Sequence, residues 1–202
     1  IRCCVEVFTT KMEDLRQEED VLRLRSASIH DWLELLHEAE MVLDNDLRQV
    51  SVKYVPPQNL LFHDEVFSLD IKSTIINMGF TNYVESLDNN IAGPVIVHFS
   101  SVEDRLKKVE QPIQVLQRPM RPCKPELMQT LGGVLMASCY HIGPYETISD
   151  TSAAVAAWVE KNGYQMCGVM FNVYHVSPHE TQNPDELVTE VCIPVKRRDS
   201  AE

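Results

Sequence analysis

The sequence predicts an α+β protein. Two βαββ units with pseudo-twofold symmetry form an antiparallel sheet with two helices, and an N-terminal helical segment precedes them. Three features of the 202 residues lead to this prediction. A stretch without Pro or Gly comes first, short β-branched and aromatic runs follow, and the second half of the chain repeats the pattern of the first. A chain of this length holds one large domain, or a medium domain with an extension.

Residues 12–46 lack Pro and Gly and are rich in Leu, Glu, Arg and Asp, which favours a helix. We expect a break near Arg25, with Ser26 or Ser28 capping a second helix. A stripe with coiled-coil spacing comprises Ile29, Trp32, Leu36, Ala39 and Leu43. Because it covers barely two heptads, it suits a homodimer and packing on the chain's own body equally well. We assign residues 1–48 to a helical linker or dimerisation segment.

After Gln49 the composition changes to strand-like runs separated by Pro, Gly and Asn, so we expect a domain over residues 49–198. The predicted strands are residues 50–55, 60–67, 94–99, 113–117, 134–141, 169–176 and 187–195. Two helical stretches interrupt them. The second is the clearer, since Thr147 or Ser149 offers a cap, Val155 and Val159 lie on one apolar stripe, and Gly163 closes the helix.

A shift of 75 positions superposes the two halves of this domain without a gap. It places Leu60 on Leu135 and Phe99 on Tyr174. The same shift brings cap, helix aromatic and turn glycine into correspondence. Each half therefore reads strand, helix, strand, and short flanking strands complete two βαββ repeats at about 50–118 and 127–197.

Charge and hydropathy limit the classes of function. The formal net charge is -12, so the surface repels phosphates and we expect no direct binding to nucleic acid. No run approaches the roughly 18 apolar residues of a spanning helix, and no signal-peptide pattern begins the chain. We therefore predict a cytoplasmic protein without a membrane partner. The first residue, Ile1 rather than Met, leads us to expect a further module upstream.

Catalytic motifs are missing from the sequence. It contains no G-x-S-x-G, no H-E-x-x-H, no P-loop and no glycine-rich dinucleotide turn. The six cysteines form no C-x-x-C pair, and we expect them to be reduced. We predict no cofactor, no metal site and no enzymatic activity.

Strand alternation picks out one candidate binding group. Residues two apart share a face of a strand, so Asn172 goes with Tyr174, and Glu190 goes with Cys192 on the next strand. Glu190 lies in an otherwise apolar run, so it is either an edge residue in water or a buried charge with a partner. Burial beside Tyr174 and Trp158 would form an aromatic pocket with one carboxylate, suited to a flat lipophilic cation. Core packing is the competing role for the helix aromatics Trp158 and Tyr83.

These residues carry a resemblance to a known family. The segment His141-Ile-Gly-Pro-Tyr-Glu146, the helix ending Trp158-Val-Glu-Lys-Asn-Gly163, and the terminal Thr189-Glu-Val-Cys-Ile-Pro-Val195 resemble the GyrI-like effector-binding domain. The match is fairly specific over residues 134–195 and weaker over 49–100, and it does not cover 1–48. That family has a duplicated βαββ fold, in agreement with the repeat.

The resemblance implies a ligand-sensing module of a MerR-type or AraC-type bacterial regulator that binds a small-molecule effector between its repeats. Contact with DNA would then be made only by a helix-turn-helix domain outside this chain, and the N-terminal helix would form a homodimer. The implied ligand-binding residues are Glu190, Tyr174, Trp158, Tyr145, Asn172, Phe99 and Tyr83. Many members have an acid where this chain has Asn172, so a neutral or weakly basic ligand also fits.

Two alternatives remain open. Some relatives on this fold are hydrolases that open cyclopropane rings with pocket carboxylates, a task that needs more than one positioned acid or base. Others are stand-alone proteins that bind a protein partner, for which an acidic surface is suitable. An upstream reading frame encoding a basic helix-turn-helix would separate a regulator from a stand-alone protein.

Overall fold

A computed structural model describes residues 1–67 and 71–198. Its helices are α1 (Arg2–Asp44), α2 (Ile71–Ile75), α3 (Met78–Ser86), α4 (Val102–Leu106) and α5 (Ile148–Lys161). Its strands are β1 (Ser51–Val55), β2 (Gln58–Phe67), β3 (Ile91–Phe99), β4 (Gln111–Pro119), β5 (Met128–Leu131), β6 (Val134–Ile142), β7 (Tyr164–Met166), β8 (Phe171–Val176) and β9 (Val188–Arg197). The short strands β5 and β7 are additions to those predicted.

The strands form one antiparallel sheet in the order β1-β6-β9-β8-β3-β4-β2-β5, with β7 paired to β9. This order is symmetric, because each strand of one repeat has the same distance from one end of the sheet as its equivalent in the other repeat has from the other end. The first strand of each repeat pairs with the opposite repeat, and β3 and β8 meet at the centre, where Val97 lies opposite Asn172. The predicted α+β class with duplicated βαββ units and pseudo-twofold symmetry is thus confirmed.

The gap-free shift of 75 holds for the helices and for β3 against β8, where Phe99 and Tyr174 both lie in the main core. The shift of 75 is one residue too small for β2 and β6, the first long strand of each repeat. Leu60 corresponds to Met136, not to Leu135, since Leu60 and Met136 share one cluster while Leu135 packs on the other face. One residue matters because neighbouring residues of a strand point to opposite faces.

The sheet has two covered faces. We call the face under α3 and α5 the α5 face; its core includes Phe80, Val84, Val155 and Val159 from the helices. An asparagine cap begins α3, where Asn77 Oδ1 accepts a hydrogen bond from the Phe80 N–H at 2.8 Å. Burial of these apolar stripes holds both helices on the sheet.

We call the opposite face the α1 face. The last turns of α1 pack on it through Leu35, Ala39 and Val42, the buried residues of that helix, and Ala39 and Val42 contact Val176 and Val188. The spacing of these three residues by four and three places them on one side of the helix. The C-terminal part of α1 therefore lies across the junction of the repeats.

The predicted break near Arg25 is wrong, because α1 is one helix of 43 residues. No Pro or Gly interrupts it, so every backbone N–H after its first turn has a helical acceptor. The predicted stripe divides between two environments: Ala39 and Leu43 pack on the sheet, whereas Ile29 and Leu36 are exposed.

Candidate functional site

Strand register decides which predicted site residues can meet. In the pairing of β8 with β9, Val173 lies opposite Glu190 and Tyr174 lies opposite Thr189. Residues directly opposite in an antiparallel pair share a face. Glu190 is therefore buried on the α1 face, while Tyr174 is on the α5 face. The expected pocket with Glu190 beside Tyr174 and Trp158 is not formed, because the sheet lies between them.

The other six predicted residues all lie on the α5 face. Tyr145 and Tyr174 meet edge to face at 5.7 Å between ring centroids, and the Asn172 amide donates to the Tyr174 hydroxyl oxygen at 3.4 Å. Trp158 instead stacks on Tyr164. Phe99 and Tyr83 belong to separate contacts, Phe99 with Phe67 and Tyr83 with His63. The structure thus brings together only Tyr145, Asn172 and Tyr174.

A cavity of about 370 Å³ lies between α1 and the sheet, and we call it the α1 cavity. It spans the junction of the repeats, since Ile96 of β3 and Phe171 of β8 both line it. Helix α1 contributes Asp31, Glu34, Leu35 and Glu38. Of the seven predicted ligand-binding residues, Glu190 alone lines it.

Glu190 is held by partners from two other strands. The Lys53 ammonium of β1 is 2.7 Å from Glu190 Oε1, and the His175 imidazole of β8 is 3.8 Å from Oε2. On its other side His175 Nδ1 is 3.8 Å from a Glu38 carboxylate oxygen. The Tyr140 hydroxyl donates to the same carboxylate group. The network therefore joins α1 to four strands of the sheet, β1, β6, β8 and β9.

The electrostatics of this network keep Glu190 ionised. Burial by itself raises the pKa of the Glu190 carboxyl group, but the adjacent His175 and Lys53 outweigh burial and lower the pKa to about 2. Burial, followed by the Glu190 charge, raises the pKa of the Tyr140 hydroxyl. Tyr140 therefore stays a neutral donor to Glu38.

The wall of the α1 cavity has more acidic than basic groups. Its four carboxylates are Asp31, Glu34, Glu38 and Glu190, against the two cations Lys53 and Arg118. Arg118 is paired with Asp31 and Lys53 with Glu190. Glu34 and Glu38 of α1 therefore leave a negative excess beside the apolar side chains of Leu60, Ile96 and Phe171. A cation with an apolar body suits such a wall.

Sequence reasoning missed the partners of Glu190. Lys53, His175 and Glu38 come from three elements that are distant along the chain, and no local motif connects them. One signal was available for His175. It alternates with Tyr174 on β8, so it has to lie on the face opposite the tyrosine.

Residues 1–67 and 71–198 contain no cluster of three or more His, Cys, Asp or Glu side chains that could hold a metal ion. Within the same ranges, no helix is both long enough and apolar enough to cross a membrane.

Comparisons with solved structures support the fold. A cryo-EM structure of an EcmrR–DNA complex matches with a TM-score of 0.64 and 18% identity over 92% of this chain and 71% of that one. The crystal structure of the EcmrR C-terminal domain gives 0.60 and 16% over 75% of this chain and 99% of that one. A hydrolase from Listeria innocua gives 0.51 and 15% over 74% and 93%.

This chain therefore shares its fold with EcmrR and with the Listeria innocua protein described as a hydrolase. A comparison with curated protein sequences finds no match. Residues 108–196, from β4 to the end of the sheet, match the GyrI-like small molecule binding domain. The predicted resemblance to this family is therefore confirmed over residues 108–196.

Proposed function

We propose that this chain is the effector-sensing part of a bacterial transcriptional regulator, and that it binds a small lipophilic molecule, preferentially a cation, in the α1 cavity. The observation that carries the proposal is the position of that cavity. It lies at the junction of the two repeats, contains the buried Glu190, and has a wall of α1 residues. A pocket of about 370 Å³ with apolar walls and a few charged groups is typical of small-molecule sites.

The same arrangement explains how binding would be transmitted. Asp31, Glu34 and Glu38 line the cavity on one side of α1, so an occupant contacts helix and sheet together. A ligand that binds one arrangement of α1 more tightly shifts the population towards it. DNA contact belongs to a helix-turn-helix domain outside this chain, in line with the net charge of -12.

We propose no catalytic role. General acid catalysis needs a carboxyl group that is protonated near the working pH. With a pKa of about 2, held down by His175 and Lys53 against the effect of burial, Glu190 is a permanent anion. This charge suits binding better than proton transfer.

The test is calorimetric titration with N-methylacridinium and with acridine, its uncharged analogue of the same shape. We expect the wild-type chain to bind the cation at least about tenfold more tightly. Glu190→Gln removes the charge and leaves Lys53 unpaired in the wall, so the preference should disappear. Glu126→Gln, at an exposed glutamate outside the cavity, should keep it. Equal binding of both compounds by the wild type would contradict the cation preference.

A second measurement tests the link to α1. Hydrogen exchange of the backbone amides in residues 31–42 should slow at saturating N-methylacridinium, because the ligand bridges helix and sheet. Amides of residues 5–20 in the exposed half of the same helix serve as the control and should not change. Binding without protection of residues 31–42 would overturn the proposed transmission through α1.

A further inference from the structure

A buried histidine lies between two carboxylates in the wall of the α1 cavity. His175 of β8 lines this cavity and is only 4% exposed. Its Nδ1 atom is 3.8 Å from Glu38 Oε2 of α1, and its Nε2 atom is 3.8 Å from Glu190 Oε2 of β9. The imidazole ring therefore lies between an acid of the helix and an acid of the sheet.

The second oxygen of each carboxylate has a different partner. Glu38 Oε1 accepts a hydrogen bond from the Tyr140 hydroxyl, and Glu190 Oε1 is paired with the Lys53 ammonium. In the part of the chain that the structure describes, neither ring nitrogen of His175 has a hydrogen-bond partner. A neutral imidazole has one N–H group and one lone pair, whereas the imidazolium ion has two N–H groups. Only the charged ring can therefore direct an N–H group to both acids.

The neighbours of His175 leave it as the group whose charge changes near neutral pH. Burial, followed by the Glu190 charge, raises the pKa of the Tyr140 hydroxyl, whose ring meets the imidazole edge to face at 5.6 Å. Burial and the same charge raise the pKa of the Cys192 thiol. Burial also raises the pKa of Glu190, but His175 and Lys53 outweigh it and lower the value to about 2. Histidine, by contrast, ordinarily changes its charge between pH 5 and 8.

The proton on His175 alters the charge that the α1 cavity presents to a ligand. The wall also contains the ion pair of Arg118 with Asp31 and the carboxylate of Glu34. With a neutral imidazole, the four carboxylates of the described wall exceed its two cations by two negative charges. The imidazolium ion reduces this excess to one. It also repels a cationic ligand that approaches the same two acids, because like charges interact strongly where little water intervenes.

We propose that His175 determines the charge preference of the α1 cavity through its own proton. The imidazolium ion takes the position of a ligand cation between Glu38 and Glu190. A permanently cationic ligand therefore binds with release of this proton to the solvent, whereas an uncharged ligand binds without it. This inference rests on the proposed function, because it names the group that selects the ligand of the same cavity.

The experiment is calorimetric titration with N-methylacridinium, a permanent cation, at pH 5.5 and pH 7.5, within the range where histidine titrates. We expect the wild-type chain to bind it about tenfold more tightly at pH 7.5, because binding is linked to loss of a proton. His175→Gln has no proton to lose, so its affinity should be equal at both values. His37→Gln, at an exposed histidine of α1 outside the cavity, should keep the wild-type dependence.

The direction of the effect in His175→Gln separates charge competition from a structural role. At pH 5.5 this variant should bind the cation about tenfold more tightly than the wild type does, because the competing charge is missing. Loss of a merely structural contact would weaken binding instead. The uncharged analogue N-methylacridone is the matched ligand, and acidification should not weaken its binding to the wild type.

A measurement on the wild type keeps the inference testable if the variant fails to fold. Titration at pH 6.0 in phosphate and in Bis-Tris, two buffers with different heats of ionisation, counts the released protons, and we expect on the order of one per bound cation. Cation binding without proton release, or a pH dependence that persists in His175→Gln, would overturn this inference alone. Absence of cation binding at every pH would overturn the proposed function and this inference with it.

Discussion

At the scale of single residues, Glu190 shows how a buried charge is stabilised. Its partners Lys53 and His175 come from β1 and β8, so these contacts of the carboxylate exist only in the folded sheet. Lys53 remains 42% exposed at the mouth of the cavity, and water therefore screens part of its attraction. A buried acid paired in this way links the stability of the fold to pH.

We predict that stability falls as the pH falls from about 5 to about 2, the interval between the ordinary pKa of Glu190 and its lowered value in the fold. A lowered folded-state pKa contributes stability above the unfolded-state value, and this contribution is lost as the carboxylate gains a proton. Urea unfolding at a series of pH values measures the slope. Glu190→Gln should flatten it, and Glu126→Gln should not. An unchanged slope in Glu190→Gln would contradict the ionised pair.

At the scale of elements, the turn between β5 and β6 depends on a close approach of two backbones. Gly132 has φ of +98°, and a Cβ atom on it would lie 2.3 Å from the carbonyl oxygen of Pro56. Gly133 also has a positive φ, +77°, but its nearest neighbour to such an atom is a Pro57 side-chain carbon at 3.8 Å. Both glycines have a positive φ, which disfavours other residues, but only at Gly132 would a side chain also collide with the backbone.

Gly132→Ala should therefore destabilise the fold by about 2–3 kcal/mol, because backbone atoms cannot move aside as a flexible side chain does. Gly133→Ala, the matched control, meets only the conformational penalty of about 1–2 kcal/mol. Urea unfolding followed by circular dichroism compares the two. Equal losses in both variants would show that the contact with Pro56 is not the cause.

At the scale of the whole molecule, the N-terminal part of α1 extends away from the sheet. The helix of 43 residues is about 65 Å long, and its buried residues all lie near its C-terminal end. Its exposed part has an apolar stripe formed by Val5, Phe8, Met12, Leu15, Leu22 and Ile29. Successive positions of the stripe are alternately three and four residues apart, and two of these positions are occupied by polar residues. Such spacing is typical of a coiled-coil seam.

We predict that the chain is a homodimer through this stripe. The double variant Leu15→Glu, Leu22→Glu places four like charges at the seam and should weaken the dimer by at least about a hundredfold, or about 2.7 kcal/mol. Size-exclusion chromatography with light scattering measures the mass. Leu47→Glu, at an exposed leucine after the helix, should leave the dimer intact. A wild-type monomer, or a double variant that still dimerises, would contradict the prediction.

Much of the architecture was readable from the sequence because it depends on local pattern. The absence of Pro and Gly indicated a helix before Gln49, although it also gave no reason for the break expected near Arg25. Alternation placed Glu190 with Cys192 and Asn172 with Tyr174, and both pairs are correct. The strands β5 and β7 were missed because they have only four and three residues, too few for a pattern.

The sequence alone determined the duplicated α+β fold and the helical N-terminal segment, and it placed Glu190 in an apolar strand without deciding whether the side chain is buried. Tertiary structure decided which groups meet. The register of β8 against β9 placed Glu190 and Tyr174 on opposite faces, and packing of α1 and β1 brought Glu38 and Lys53 to the acid's side of the sheet. A one-residue change of register exchanges the faces, and no local preference of the chain encodes that choice.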